Sequence, residues 1–343
     1  MKITTIGIDL AKNVLQIHGA DERGKPVVRK QLKRDKVMAF FANMEPCVIG
    51  MEACGSAHHW ARQLQSLGHE VKLISPQFVK PFVKTNKHDV ADAEAICEAV
   101  SRPTMRFVPV KNVEQQAMLS LHRAREGFIV DRTATANRIR GLMAEYGLIL
   151  PQGIGHVRSK VPELIEDATN ELPGMFRRLI DQLLNHLRWL DEQIEMIEKE
   201  IHAWHRNNVD SQRLEQVPGI GVIIATAMIA MIGDARNFKN GRELAAWIGL
   251  VPRQHSTGGK QTLLGISKRG DAYLRKLLIH GARALAYHAG RKANPDHWLN
   301  KLINRRNMNV AVVAQANKTT RIVWAMLAHG RDFRPDYASK APA

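Results

Sequence analysis

Near the start of the chain Ile6 and Ile8 alternate at period two across Gly7, and the run ends on a carboxylate, Asp9. Such a run predicts a buried strand, with Gly7 leaving room for another backbone to approach closely. After Lys12 a second alternating run, Val14 to His18, predicts an antiparallel partner strand. A carboxylate set against a sheet must be ionised and compensated, and a divalent cation is the commonest way to hold several such groups together. Taken alone, Asp9 is equally compatible with capping a turn.

The next eighty residues extend the pattern. Lys25–Lys30 predicts a third strand, and a helix follows from Asp35 to Asn43. Then come a buried strand over Cys47–Glu52, a helix over Ala57–Leu67 with Ser56 as its cap, a strand over Glu70–Ile74, and a helix reaching Phe82. Three antiparallel strands, a helix, a parallel strand, and another helix and strand make the order of a ribonuclease H-like α/β sandwich. In that fold Glu52 ends the fourth strand beside Asp9. The run Lys87-His-Asp89-Val-Ala-Asp92 opens a helix to Val100, with Asp89 and Asp92 on one face at i and i+3. Two acids near a helix start also complement its dipole. That account leaves Asp9 and Glu52 unexplained, so the four carboxylates are expected to hold one or two Mg²⁺ ions, with Mn²⁺ a possible substitute.

From about Val113 to His205 the chain reads as helical. Arg123, Arg125, Arg132, Arg138 and Arg140 suit either a phosphate backbone or a solvated face, and Pro151 with Gln152–Gly155 breaks the run. In the next helix Phe176, Ile180, Leu183, Leu187, Leu190, Ile194, Ile197 and Ile201 recur at steps of four and three. This is a coiled-coil seam that can pair within the chain or between subunits. Val217-Pro-Gly-Ile-Gly-Val then leads into an apolar helix to Ile232. Gly219 and Gly221 there suit a helix-hairpin-helix that grips phosphates, or a tight interhelical turn. Farther on, Ser256 and Thr257 stand beside two glycines between Arg253 and Lys260, followed by Lys268, Arg269 and Arg275. A hydroxyl flanked by glycine and cations suits a nucleophile or phosphate anchor, although a polar loop explains it too. The expected division is residues 1–110, an α/β domain; 111–209, a helical coiled-coil linker; and 210–343, a mainly helical domain.

The formal net charge of +17 is concentrated. From Val251 onward seventeen Lys and Arg face four Asp, the footprint of a polyanion partner. The most apolar stretch, Val222–Gly233, is too short to cross a bilayer, and the N-terminus enters a strand with no basic n-region, so no membrane association and a cytoplasmic, nucleoid-associated protein are expected. Cys47, Cys54 and Cys97 form no CxxC pair, which fits a reducing compartment.

GIDLAK, GMEACGS, KHDVADA, VPGIG, GLVPRQHSTGGK and ISKRGDAYLRKLL, in this order over nearly the whole chain, resemble the DEDD-type insertion-sequence transposases. These are also called bridge-RNA-guided recombinases and are related to the Piv-type DNA invertases. The resemblance implies a RuvC-like domain holding Mg²⁺ through Asp9, Glu52, Asp89 and Asp92, a coiled-coil linker, and a C-terminal transposase domain with a serine nucleophile. It implies donor and target DNA as substrates, an element-encoded guide RNA that pairs with both, and assembly as a dimer or tetramer. Aligned without a gap, the family's serine-glycine pair falls on Thr257-Gly258; the only serine in the loop, and the preferred nucleophile, is Ser256. The alternative function is a Mg²⁺-dependent, Holliday-junction-type endonuclease in which the four acids activate water.

Overall fold

The computed structural model describes residues 2–84, 88–289 and 298–335. Lys87, which opens the KHDVADA run, lies outside the described residues. The chain divides into two compact units, Met1–Glu114 and Gln115–Ala343. Most of the helical stretch expected as a linker therefore belongs to the second unit.

The first unit is a mixed α/β domain around one sheet. Its elements are β1 (Thr5–Leu10), β2 (Val14–Ala20), β3 (Pro26–Lys33), α1 (Val37–Ala42), β4 (Val48–Glu52), α2 (Ala57–Ser66), β5 (Glu70–Ile74), α3 (Pro76–Val79), α4 (Asp89–Val100) and β6 (Phe107–Val108). The strands lie in the order β3-β2-β1-β4-β5-β6. β1, β2 and β3 are antiparallel, β1, β4 and β5 run parallel, and β6 returns antiparallel on the edge. This arrangement is consistent with a ribonuclease H-like fold. Ile6, Ile8, Ile49, Met51 and Leu73 form one core with Phe41, Trp60 and Leu64. On the other side Ile74 packs with Ile96, Ala99 and Val100 of α4. Ser56 takes the N-cap position of α2 in a left-handed conformation, φ 67°, and makes no side-chain cap bond, contrary to the capping role expected of it.

The second unit begins along α5 (Val113–Ala144) and continues through α6 (Ile154–Glu166), α7 (Gly174–Arg206), α8 (Val209–Glu215), α9 (Val222–Ile232) and α10 (Gly241–Ile248). A two-stranded sheet follows, β7 (Pro252–Thr257) and β8 (Lys260–Ile266), then α11 (Ala272–Ala289), α12 (Trp298–Arg305) and α13 (Met308–His329). Phe176, Ile180, Leu184 and Leu187 of α7 are buried with Ile139 and Met143 of α5 and Val157 and Val161 of α6. This part of the seam is thus used within the chain. At the position expected of Leu183 the structure instead buries Leu184, 3% exposed, because a 3.6-residue helix drifts off a strict heptad and α6 offers a second packing surface. Helices α8 to α13 share a larger core containing Met228, Leu244, Leu274, Leu278, Val312 and Val323.

His122 ties α5 into that assembly. Fully buried, its Nδ1 lies 3.0 Å from the Tyr273 hydroxyl and its Nε2 3.1 Å from Thr226 Oγ1. The Thr226 hydroxyl donates to the Val222 carbonyl, so His122 donates from Nε2 and accepts at Nδ1. Burial lowers the imidazole pKa to about 4 and raises that of Tyr273 to about 12. Lys276 of α11 pairs with Glu126 of α5 alongside. No described helix is long and apolar enough to cross a membrane.

Candidate functional site

In the first unit, two glycines decide where the acids go. Gly7 and Gly50 pair across β1 and β4, and Ile8 pairs with Met51, so the next positions along the two parallel strands are Asp9 and Glu52. By strand alternation Asp9 shares the face of Gly7, and Glu52 that of Gly50. Helix α4 lies on that face. A β-carbon built on Gly7 would stand 2.2 Å from the Ala93 carbonyl oxygen and 2.4 Å from the Cys97 amide, and one on Gly50 would stand 2.8 Å from Val100 Cβ. The helix backbone therefore rests directly on the sheet.

Cys97 Sγ reaches the Thr5 carbonyl at 3.7 Å, whereas Ala93 meets Gly7, so moving toward the N-terminus of α4 means moving toward Asp9. The first turn of α4, with Asp89 exposed and Asp92 half-buried, projects in that direction. His88 caps it, its Nδ1 accepting from the Val90 amide at 3.2 Å. The exposed Cys54 senses the same corner: partial desolvation, then the Glu52 and Asp9 carboxylates, push its thiol up. Four oxygen donors of one chemical type suit a hard divalent cation. Among the described residues, however, no three His, Cys, Asp or Glu side chains are gathered closely enough to hold one. Asp9 and Glu52 are thus strand neighbours, and Asp89 and Asp92 approach their end of the sheet without closing a ligand cluster.

In the second unit, the stretch expected as a polar loop is a β-hairpin. Ser256 pairs with Gln261 and Thr257 with Lys260 around Gly258 and Gly259, whose φ values of +55° and +80° suit a two-residue turn. The one signal in the sequence was the Gly-Gly dipeptide itself. Both strands are solvent-exposed throughout, apart from a half-buried Ile266. Ser256 Oγ accepts from Gln254 Nε2 at 2.8 Å, which puts both on one face. By alternation His255 and Thr257 occupy the other, so the two candidate hydroxyls point to opposite sides. Arg253 and Lys260 are exposed on the hairpin strands.

The glycine-rich turns beside it are packing devices. Gly249, φ +84°, and Gly270, φ +79°, lay the segment carrying Lys268 and Arg269 against the end of α10; a β-carbon on Gly270 would stand 1.9 Å from the Trp247 carbonyl oxygen. Lys268 itself adopts φ 54°, and both cations are exposed. Arg275, expected at a phosphate, donates from Nη1 to the Ile248 and Arg269 carbonyls at 2.9 and 3.0 Å and so clamps this junction. Gly219, φ +86°, lies against Gly281 of α11, where a β-carbon would stand 2.0 Å from the Gly219 carbonyl oxygen. Gly219 thus sits in a tight turn packed against α11. Gly221 is exposed, with open space at its Cα.

Comparison with known proteins matches both units. Residues 211–297 match the family described as Transposase IS116/IS110/IS902 family, and residues 6–148 match a DEDD, IS110-type family described as Transposase. A probable family 20 transposase of Pseudomonas aeruginosa is 51% identical over 98% of this chain and 100% of its own length. The transposase for insertion sequence element IS1328 of Yersinia enterocolitica is 44% identical, covering 96% of this chain and 98% of that protein. The transposase for IS1111A of Coxiella burnetii is also 44% identical, over 97% and 92%.

Proposed function

The chain belongs to the IS116/IS110/IS902 family of DEDD transposases, enzymes that act on DNA, and from that premise we propose that it cuts and rejoins donor and target DNA through a phosphoserine intermediate. The observation that carries this reading is the hairpin, which holds Ser256 on an exposed two-stranded support next to cationic residues, with Gly258 and Gly259 at its tip. A flexible side chain on a defined strand can reach a phosphodiester, and glycines at the turn let the DNA backbone come close.

In the proposed step Ser256 Oγ attacks phosphorus, an Oγ–P bond forms, one P–O ester bond breaks, and the proton lost from the Ser256 hydroxyl is balanced by the one that the departing deoxyribose oxygen takes up from solvent. The count of phosphodiester-type bonds is unchanged, so reversal on a second strand rejoins DNA without nucleotide hydrolysis. Lys260, the cross-strand partner of Thr257, and Arg253 would balance the charge growing on the phosphoryl oxygens by extending their long side chains round from the strands of the hairpin. Asp9 and Glu52, neighbours on β1 and β4, would hold a divalent cation such as Mg²⁺ together with Asp89 and Asp92 only when the first turn of α4 closes onto them. When bound, that ion supplies charge neutralisation at phosphate. Without it, the same four acids would repel the DNA backbone. Gly219 and Gly221, with Lys268 and Arg269, belong to the surface proposed to follow DNA.

Choice of site is proposed to come from a guide RNA that pairs with the DNA, supported by the resemblance stated above and by the seventeen cations from Val251 onward. Assembly as a dimer or tetramer belongs to the same proposal. The test is denaturing electrophoresis of labelled donor DNA with protein, candidate RNA and Mg²⁺. A protein-linked band that disappears in Ser256→Ala but not in Thr257→Ala is expected. Loss only in Thr257→Ala moves the nucleophile to the opposite face of the hairpin. Efficient cleavage with no linked band in any variant would overturn the reading in favour of a structure-selective endonuclease.

A further inference from the structure

At the foot of the same hairpin a groove of about 740 Å³ opens between β8, α12 and α13. Its lining includes Leu250, Ile266 and Val313, together with Trp298, Lys318 and Arg321, and none of the described residues that line it is acidic. Leu264 and Val310, also in the lining, are 47% and 54% exposed, so this apolar surface is not used by the fold of the unit. Trp298 is 38% exposed, and Lys318 Nζ stands 4.7 Å from its ring centroid.

We propose that this groove seats an unstacked nucleobase of the DNA strand that the hairpin attacks, with the base against Trp298 and the adjoining phosphates on Lys318 and Arg321. The inference rests on the reading given under Proposed function. An apolar bed with an aromatic ring, bordered by cations and with no carboxylate among its described lining residues, is complementary to one partner chemistry: a flat hydrophobic base on an anionic backbone. A nucleobase stacked on indole outcompetes an exposed ammonium lying over the ring, and the displaced Lys318 is then released to a phosphate.

The hairpin sets the spacing. Pro252 pairs with Ile266 beside the groove, and Ser256 lies four residues along the same strand, about 13 Å at ~3.3 Å per residue. At ~3.4 Å per stacked nucleotide the seated base lies about four nucleotides from the attacked phosphate, fewer if the strand is stretched.

The test is equilibrium binding of the full chain to a single-stranded DNA oligonucleotide carrying 2-aminopurine, with RNA of the same sequence as the second probe. Quenching of the probe by wild type is expected. Trp298→Ala should abolish the quench and weaken DNA binding about tenfold (~1.4 kcal/mol). Trp298→Phe should keep most of the affinity. Lys318→Ala should reduce the slope of log affinity against log salt by about 0.7. Unchanged DNA binding in Trp298→Ala overturns the proposal, as does a loss confined to RNA, or a loss of self-association with DNA binding intact. Strand cleavage is scored separately on the same proteins. Normal cleavage with a Trp298-independent quench removes this inference alone, whereas Trp298-dependent binding by a protein that never forms the covalent adduct removes the phosphoserine reading alone.

Discussion

Replacing Gly7 with alanine tests whether helix–sheet contact positions the acids. The new β-carbon would stand 2.2 Å from the Ala93 carbonyl oxygen, and relief to ordinary contact near 3.4 Å requires a relative shift of about 1.2 Å between β1 and α4. Backbone lies on both sides, so no side chain can turn away to absorb it. Overpacking of this kind costs about 1–3 kcal/mol. In a domain of this size that lowers the melting temperature by roughly 5–15 °C. The same shift carries Asp89 and Asp92 away from Asp9 and Glu52, and misplacement by ~1 Å costs on the order of 10²-fold in rate. Differential scanning calorimetry and a strand-cleavage time course on the same preparation measure both effects. Gly127→Ala is the control: its β-carbon meets nothing within 4 Å in the middle of α5, so it should stabilise by about 0.5–1 kcal/mol and leave cleavage unchanged. A Gly7→Ala protein that melts and cleaves like wild type would refute the argument that close packing of α4 sets the site.

Three further outcomes are expected. His122 is held neutral with its pKa near 4, below the unfolded value of 6.5, so the unfolded chain binds the extra proton between these values. Stability is full above pH 6.5 and falls as pH drops toward 4, by about 3 kcal/mol in all. Melting curves of wild type against His122→Gln should show the slope lost in the variant. Gly259→Val puts a β-branched residue at φ +80° in the hairpin turn, and should abolish the covalent adduct while leaving the main melting transition within about 0.5 kcal/mol, because the hairpin is exposed along nearly its whole length. A clear fall in the main transition would show that the hairpin is part of the core. Asp9→Asn should eliminate cleavage yet retain DNA binding in a filter or mobility assay, and residual cleavage near the wild-type rate would remove the carboxylates from the chemistry.

Periodicity made much of the first unit legible. Ile6 and Ile8, Val14 to His18 and Cys47 to Glu52 predicted strands that the sheet contains, because each buries a face and the period of two leaves only one way to do so. β6 escaped notice: with two residues, Phe107 and Val108, it carries no period at all. The hairpin around Ser256 was missed for a different reason. Its strands are polar and exposed, so hydrophobic alternation was absent and only Gly-Gly marked it.

The order of elements, the four acids and the hydroxyl pair were determined by sequence, since local backbone preference and alternation act over a few neighbouring residues. Tertiary structure alone decided that α4 crosses the sheet on Gly7 and Gly50, that Arg275 holds two carbonyls, and that Leu184 is buried where the heptad predicted Leu183. It also decided that Trp298 and Lys318 border one groove with β8. Each of these depends on which surfaces, distant in sequence, pack together, and a β-carbon's space or a guanidinium's partner exists only once they have met.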